Sequence, residues 1–353
     1  MSGRVPQNNG VVGSQCEPPE DAPVGDDIDE VFLHWPPVTV SSVLEPPAGV
    51  TAEARRCNAR GLSLVQGGDF EQALAEFTAA IQHSPAFAAA WNNRGFTQLA
   101  VEMWDAAERD FDTALTIAPT MSLAHHNRGL AHAARGDFER ALRDFDLAIN
   151  EDDSRASSNQ NRGVVRTALG DFHSAILDFD DALRLQPTNA FAACNRGFAW
   201  MSLGDFDAAT ADFTRALECQ PKLATALFHR ANLSRARGEF VPAIADYSMA
   251  IKHEPDFWLA YHHRAECHMQ CQSFEAAIHD YSFLLERNQN SASACCHRGL
   301  CFASLGDGEK ALADFDRALQ IDPGYSAASE HRAAYLEAVC GRGVLKPTRS
   351  SCA

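Results

Sequence analysis

A 34-residue period, running without insertion through most of the chain, constrains this sequence more than any other feature. Gly61, Gly95, Gly129, Gly163 and Gly197 fall at that interval, and Ala231, Ala265, Gly299 and Ala333 continue it. Self-similarity at periods of about 20–50 residues belongs to stacked arrays, in which one unit cannot bury its apolar face alone and a continuous core forms only on stacking.

Further series ride on the same period. Phe70, Trp104, Phe138, Phe172, Phe206, Phe240 and Phe274 form one, and Ala73, Ala107, Ala141, Ala175, Ala209, Ala243, Ala277 and Ala311 another. Phe77, Phe111, Phe145, Phe179, Phe213, Tyr247, Tyr281 and Phe315 follow, then Ala80 and its successors, interrupted at Leu284 and restored at Ala318. Proline closes most units, at Pro85, Pro119, Pro187, Pro221, Pro255 and Pro323, with Asp153 and Gln289 standing in its place elsewhere. The spacing of Phe70, Ala73, Phe77 and Ala80 sets a small–aromatic stripe on one helical face. Gly-Asp pairs such as Gly136-Asp137 and Gly170-Asp171 mark the end of one helix and the cap of the next. Each unit therefore reads as two helices, the second stopped by proline. Gly308 for the aromatic in the eighth unit, and Gln272 and Leu284 in the seventh, predict looser packing toward the C-terminal end.

The order Gly, aromatic, Ala, Phe or Tyr, Ala, Pro on this period resembles the tetratricopeptide repeat (TPR) family. The likeness spans about residues 54–325 as eight full units, then a ninth half-unit to about Cys340. It implies an all-α, right-handed superhelical solenoid of tandem helix-turn-helix repeats over 51–340, with about seventeen helices. Such a solenoid serves as a protein–protein interaction scaffold or adaptor that binds an extended peptide in its concave groove. The stretch Ser326–Cys340, with Glu330, His331, Arg332 and Glu337, fits a polar capping helix, leaving a short tail over 341–353.

Two charged series accompany the core. Arginine precedes the glycine position in every unit, from Arg60 and Arg94 to Arg298 and Arg332, and an acid precedes each Phe/Tyr position, from Glu76 and Asp110 to Asp314. Each acid lies 18 residues before the next arginine. This spacing predicts an inter-repeat ion-pair ladder with Glu76–Arg94 and Asp110–Arg128 among its rungs, a structural register first and an anion site second.

One residue before that arginine stand Asn93, Asn127, Asn161 and Asn195, then His229, His263, His297 and His331. In proteins that resemble this one the position lines the concave groove, and the repeat region of O-GlcNAc transferase has a similar asparagine ladder that holds peptide backbone. An amide offers both a donor and an acceptor, so a row of them grips a peptide whatever its side chains. The resemblance thus implies that these eight residues bind peptide. The competing reading is that the asparagines bridge adjacent first helices. A heat-shock co-chaperone groove would need lysines beside them, and none stands at Asn58, Asn92, His126, Gln160, Cys194, Phe228, His262 or Cys296. A chaperone-associated or ciliary assembly factor stays open as an alternative.

Cys267, Cys271, Cys295, Cys296 and Cys301 beside His262, His263, His268 and His297 suggest a metal-binding or redox-active alternative, but the spacings match no zinc module, so no metal is expected. No phosphate loop, nucleophile elbow or metalloprotease pattern occurs, and the repeats consume the folded chain, so neither an enzyme nor a cofactor is expected.

Composition bounds the partner. A net charge of −17 repels phosphate backbones and anionic membranes and favours a basic or mixed-charge peptide over nucleic acid. The start lacks an apolar signal region and the eleven cysteines show no regular spacing, which points to the cytoplasm, with cilium or cytoskeleton association open. Residues 1–50 hold eight of the sixteen prolines, eight acids and one basic residue, Arg4, and are expected to be a disordered arm. Within it, Asp26–Trp35 alternates acidic and apolar residues like a short docking motif.

Overall fold

The structure, a computed structural model, describes residues 49–341. Almost all of the arm expected over 1–50, and the tail after residue 341, lie outside the described residues, as does the candidate docking motif. The described residues hold seventeen α-helices and no strand, as the period predicts. They fall into two compact bodies, 49–219 and 220–341. The first contains α1 (Ala52–Gly67), α2 (Phe70–His83), α3 (Ala88–Ala100), α4 (Trp104–Ile117), α5 (Ser122–Ala134), α6 (Phe138–Glu151), α7 (Ala156–Ala168), α8 (Phe172–Leu185), α9 (Ala190–Ser202) and α10 (Phe206–Cys219). The second contains α11 (Ala224–Ala236), α12 (Phe240–His253), α13 (Trp258–Gln270), α14 (Phe274–Arg287), α15 (Ala292–Ser304), α16 (Gly308–Ile321) and α17 (Ser326–Gly341). Within each body every helix packs on the next one in sequence, so each is a stack of antiparallel helix pairs.

The breaks between helices follow from single residues. First helices end on a left-handed residue, which glycine adopts at no Cβ cost: Gly136 and Gly170 both have φ of 77°. Two units lack that glycine, and there Glu102 (φ 62°) and Gln272 (φ 58°) are held in the same conformation. The next residue caps the second helix. Asp137 accepts from the Arg140 backbone N–H at 3.2 Å, and Asp171 from Ser174 at 3.2 Å. Second helices stop at the residue before proline, as α4 does at Ala118 before Pro119. Asp152 ends α6 in the same way without a proline after it, so that proline reinforces a stop already present.

The core is built on the glycine–aromatic contact. Phe77, Phe111, Phe145, Phe179, Phe213 and Phe315 are fully buried, each with its ring against the glycine sixteen residues earlier. A Cβ at Gly163 would lie 2.7 Å from the Phe179 ring, and one at Gly95 would lie 2.9 Å from Phe111. Ala231 and Ala265 take the glycine place in two units, and in both the aromatic is tyrosine, Tyr247 and Tyr281. Buried alanines complete each layer, and Phe145 also packs with Val165 of the following unit.

The predicted ion-pair ladder is present, but its register differs. The arginine pairs with the acid of its own unit, sixteen residues later rather than eighteen residues earlier. Arg94 donates to Asp110 at 2.7 and 2.8 Å, and Arg128 to Asp144 at 2.9 and 2.6 Å. Glu76 likewise pairs with Arg60, so neither Glu76–Arg94 nor Asp110–Arg128 is a rung. The inter-repeat link comes from the arginine's remaining nitrogen, which turns back to the residue after the aromatic of the preceding unit. Arg128 reaches Asp112 at 2.7 Å, Arg162 reaches Asp146 at 2.6 Å and Arg196 reaches Asp180 at 2.5 Å. The guanidinium fork thus serves two helices at once, which its five fixed donors allow.

Candidate functional site

The asparagine row lies on successive first helices and is covered. Asn93, Asn127, Asn161 and Asn195 are all at most 3% exposed. The Asn93 amide donates to Asn58 Oδ1 at 3.0 Å, and Asn127 donates to Asn92 Oδ1 at 3.0 Å. Asn161 Nδ2 lies 3.5 Å from His126 Nε2. Each contact spans 35 residues, from one first helix to the one before it, so in this state the amides bridge α1 to α3, α3 to α5 and α5 to α7. The receiving residues, Asn58, Asn92 and His126, are polar at three successive units, which was the sign in the sequence of a bridge, although the column turns to Cys194 and Phe228 further on. The amide oxygens are less well served. Asn127 Oδ1 and Asn161 Oδ1 are buried and accept no hydrogen bond.

The histidine row is built differently. His263 lies 6.1 Å from the Tyr247 ring, His297 stacks on Tyr281 at 5.6 Å and 14°, and His331 lies 6.5 Å from Phe315. Each of these imidazoles faces the aromatic sixteen residues earlier. His229, 4% exposed, sets its ring edge against Phe228 at 5.6 Å. His297 Nδ1 also bonds the Ser293 carbonyl at 2.9 Å. Glu266, one turn along α13, gathers three partners: His263 Nδ1 at 3.1 Å, His262 Nε2 at 3.3 Å and Arg235 at 3.0 Å. Burial works to raise the Glu266 carboxyl, but the His262 and His263 imidazoles beside it outweigh that and hold it below the usual carboxylate range. Burial lowers the His263 and His297 rings below the ordinary histidine value.

Tetratricopeptide repeat models match residues 58–100, 95–160, 161–224, 200–257 and 292–325. The chain belongs to the tetratricopeptide repeat family. Among solved structures, a chain of the APC/C hetero-tetramer Cut9–Hcn1 is similar at TM-score 0.54 and 14% identity, over 82% of this chain and 57% of that one. PilW, a type IV pilus biogenesis factor, is similar at TM-score 0.54 and 21% identity, over 58% of this chain and 96% of its own. A TPR protein from Parabacteroides merdae shows 20% identity and TM-score 0.43 over 81% of this chain and all of its own length. The first two likenesses agree with the fold that the family models show. A comparison with curated protein sequences finds no match.

The TPR framework also explains the cysteines. Cys267, Cys296 and Cys301 are packed in the core, and burial pushes their thiols up to about 12, 11 and 12. Such thiols stay protonated and unreactive at neutral pH. The i,i+4 pairs His263/Cys267 and His297/Cys301 do not converge into a ligand group among the described residues. No helix among the described residues of this TPR chain is long and apolar enough to cross a membrane.

Proposed function

We propose that this TPR chain is a non-catalytic scaffold that holds an extended segment of a protein partner along the row of first helices, with backbone capture by Asn93, Asn127, Asn161 and Asn195. The reading is supported by one observation above all: the buried carbonyl oxygens of Asn127 and Asn161 that accept no hydrogen bond. A buried acceptor without a donor costs about 1–3 kcal/mol. A backbone N–H brought by a peptide returns that free energy at these two positions. The oxygens are covered in this structure, so capture requires each asparagine side chain to turn outward. In the second body the His229, His263, His297 and His331 series offers imidazoles at the same repeat position, and the net charge of −17 favours a basic or mixed-charge segment.

The test compares affinity capture and mass spectrometry for the wild type and for a variant with the four asparagines changed to alanine, once circular dichroism shows both folded. Loss of a defined set of partners from the variant supports the groove. Identical partner lists with a lowered thermal midpoint in the variant would assign the amides to helix bridging alone.

A further inference from the structure

We propose that His262, His263 and Glu266 on α13 form a binding site for a divalent transition-metal cation of the zinc type. The inference goes beyond the scaffold reading and does not depend on it. His262 Nε2, His263 Nδ1 and a Glu266 carboxylate oxygen all lie within 4.8 Å of one another. Imidazole nitrogens and one carboxylate are the donors that zinc, cobalt and nickel take together. The spacing also fits. A tetrahedral ion with ligand bonds of about 2.0–2.1 Å sets its donors roughly 3.3 Å apart. His262 Nε2 stands 3.3 Å from Glu266 Oε1, and His263 Nδ1 stands 3.1 Å from the other oxygen, Oε2, each close to that separation.

The local hydrogen bonding leaves a gap that a cation fills. His262 is 7% exposed, and its Nε2 makes no hydrogen bond although it points at Glu266 Oε1. A buried ring nitrogen in that condition calls for an explanation. A metal held between it and the carboxylate supplies one. Arg235 donates to Glu266 Oε2 at 3.0 Å, orienting the carboxylate from outside and leaving Oε1 open toward His262. Glu266 itself is 25% exposed, which provides a route for the ion and a place for a water ligand. The helix brings the three together by register: His262 and Glu266 are one turn apart at i,i+4, and His263 joins at i+3.

The test is a Co2+ titration of the reduced full-length chain, followed by displacement with Zn2+. We expect one equivalent of Co2+ to give a visible ligand-field band without a thiolate charge-transfer band, since no cysteine is among the ligands. Glu266→Gln and His262→Asn should each weaken binding by more than the roughly 10–100-fold that loss of an outer partner costs. Cys271→Ser, which removes an exposed free thiol nearby in sequence, should leave it unchanged. Absence of a stoichiometric band, or equal affinity in the Glu266 and His262 variants, would overturn the site. Should those variants unfold, X-ray absorption on the zinc-loaded wild type decides: a nitrogen/oxygen shell with imidazole scattering supports the proposal, and sulfur in the first shell refutes it.

Discussion

The units of the first body and those of the second make the same rung from different parts. In α5–α8 the residue ahead of the arginine is an amide that reaches back to the preceding first helix, the small residue is glycine and the aromatic is phenylalanine. In α11–α14 the amide is replaced by imidazole, the glycine by alanine and the phenylalanine by tyrosine. The arginine fork changes as well. Arg128, Arg162 and Arg196 of the first body and Arg332 of the second turn back to a second acid, whereas Arg94 of the first body and Arg264 and Arg298 of the second turn back to the hydroxyls of Thr78, Ser248 and Ser282 at 3.1, 3.0 and 3.1 Å. The substitutions travel together for a reason. An imidazole offers a flat ring to an aromatic neighbour, and His297 lies nearly parallel to Tyr281. A tyrosine also carries a hydroxyl that must be satisfied, and Tyr247 donates to Asn232 at 2.5 Å. The lesson is that the backbone frame tolerates two polar vocabularies, amide-to-amide and ring-to-ring, and that they can be mixed, since α15–α16 carries His297 with Gly299 and Phe315.

The fork offers the sharpest way to break this contrast. Asp280→Ala strands a largely covered Arg264 with only a serine hydroxyl, and we expect it to cost about 3 kcal/mol. Asp212→Ala leaves Arg196 still holding Asp180, and should cost about 1 kcal/mol less. Denaturant midpoints of the full chain, with hydrogen exchange to localise the loss, measure both. Equal losses would mean that the second acid contributes nothing.

Next in size is the small residue. Gly163→Ala drives a methyl into the Phe179 ring, and an overpacked core costs about 1–3 kcal/mol. The reverse change, Ala265→Gly beneath Tyr281, removes a methyl and adds backbone freedom, for about 1 kcal/mol. Thermal melts of the two variants rank them, and an innocuous Gly163→Ala would show that the aromatic can move aside.

A further effect is one of pH. Burial pushes the His126 ring down to about 3, so it stays neutral in the folded chain, where Nδ1 pairs with Ser158 at 2.9 Å. The unfolded chain binds the proton at about 6.5. From about pH 6.5 down to about 3 the unfolded state therefore gains a proton that the folded state refuses, and stability falls as pH falls, by up to about 1.4 kcal/mol per unit. His126→Asn, which extends the amide vocabulary of the first body, should flatten that slope in midpoints measured from pH 7.5 to about 5. An unchanged slope would place the acid sensitivity elsewhere.

The fold was legible because it is written many times. Ala73 or Phe77 alone says little, but eight copies at one interval fix the helix pair, its stops and its buried face. The ladder register was not legible. Spacings of sixteen and eighteen residues both join a second helix to a first helix, and only the real crossing of the two helices sets Arg94 beside Asp110 instead of Arg128. The polar row was half legible. Asn93 and Asn127 stood out by type and position, while their partners, Asn58 and Asn92, sit in a column that varies from asparagine to histidine, glutamine, cysteine and phenylalanine. Of the Glu266 cluster, His263 stood in the periodic histidine row, but Glu266 itself had no periodic signal, because it occurs in a single unit.

The arginine fork has a bearing on how such a chain acquires its length. Each full copy carries its own acid and its own arginine, and that arginine asks of the copy before it only a hydroxyl or a carboxylate at one place. A junction between any two copies is therefore already compatible, so duplication or loss of a whole unit leaves no orphaned charge behind. Inheritance can then lengthen or shorten the chain in steps of one unit and adjust the joins later.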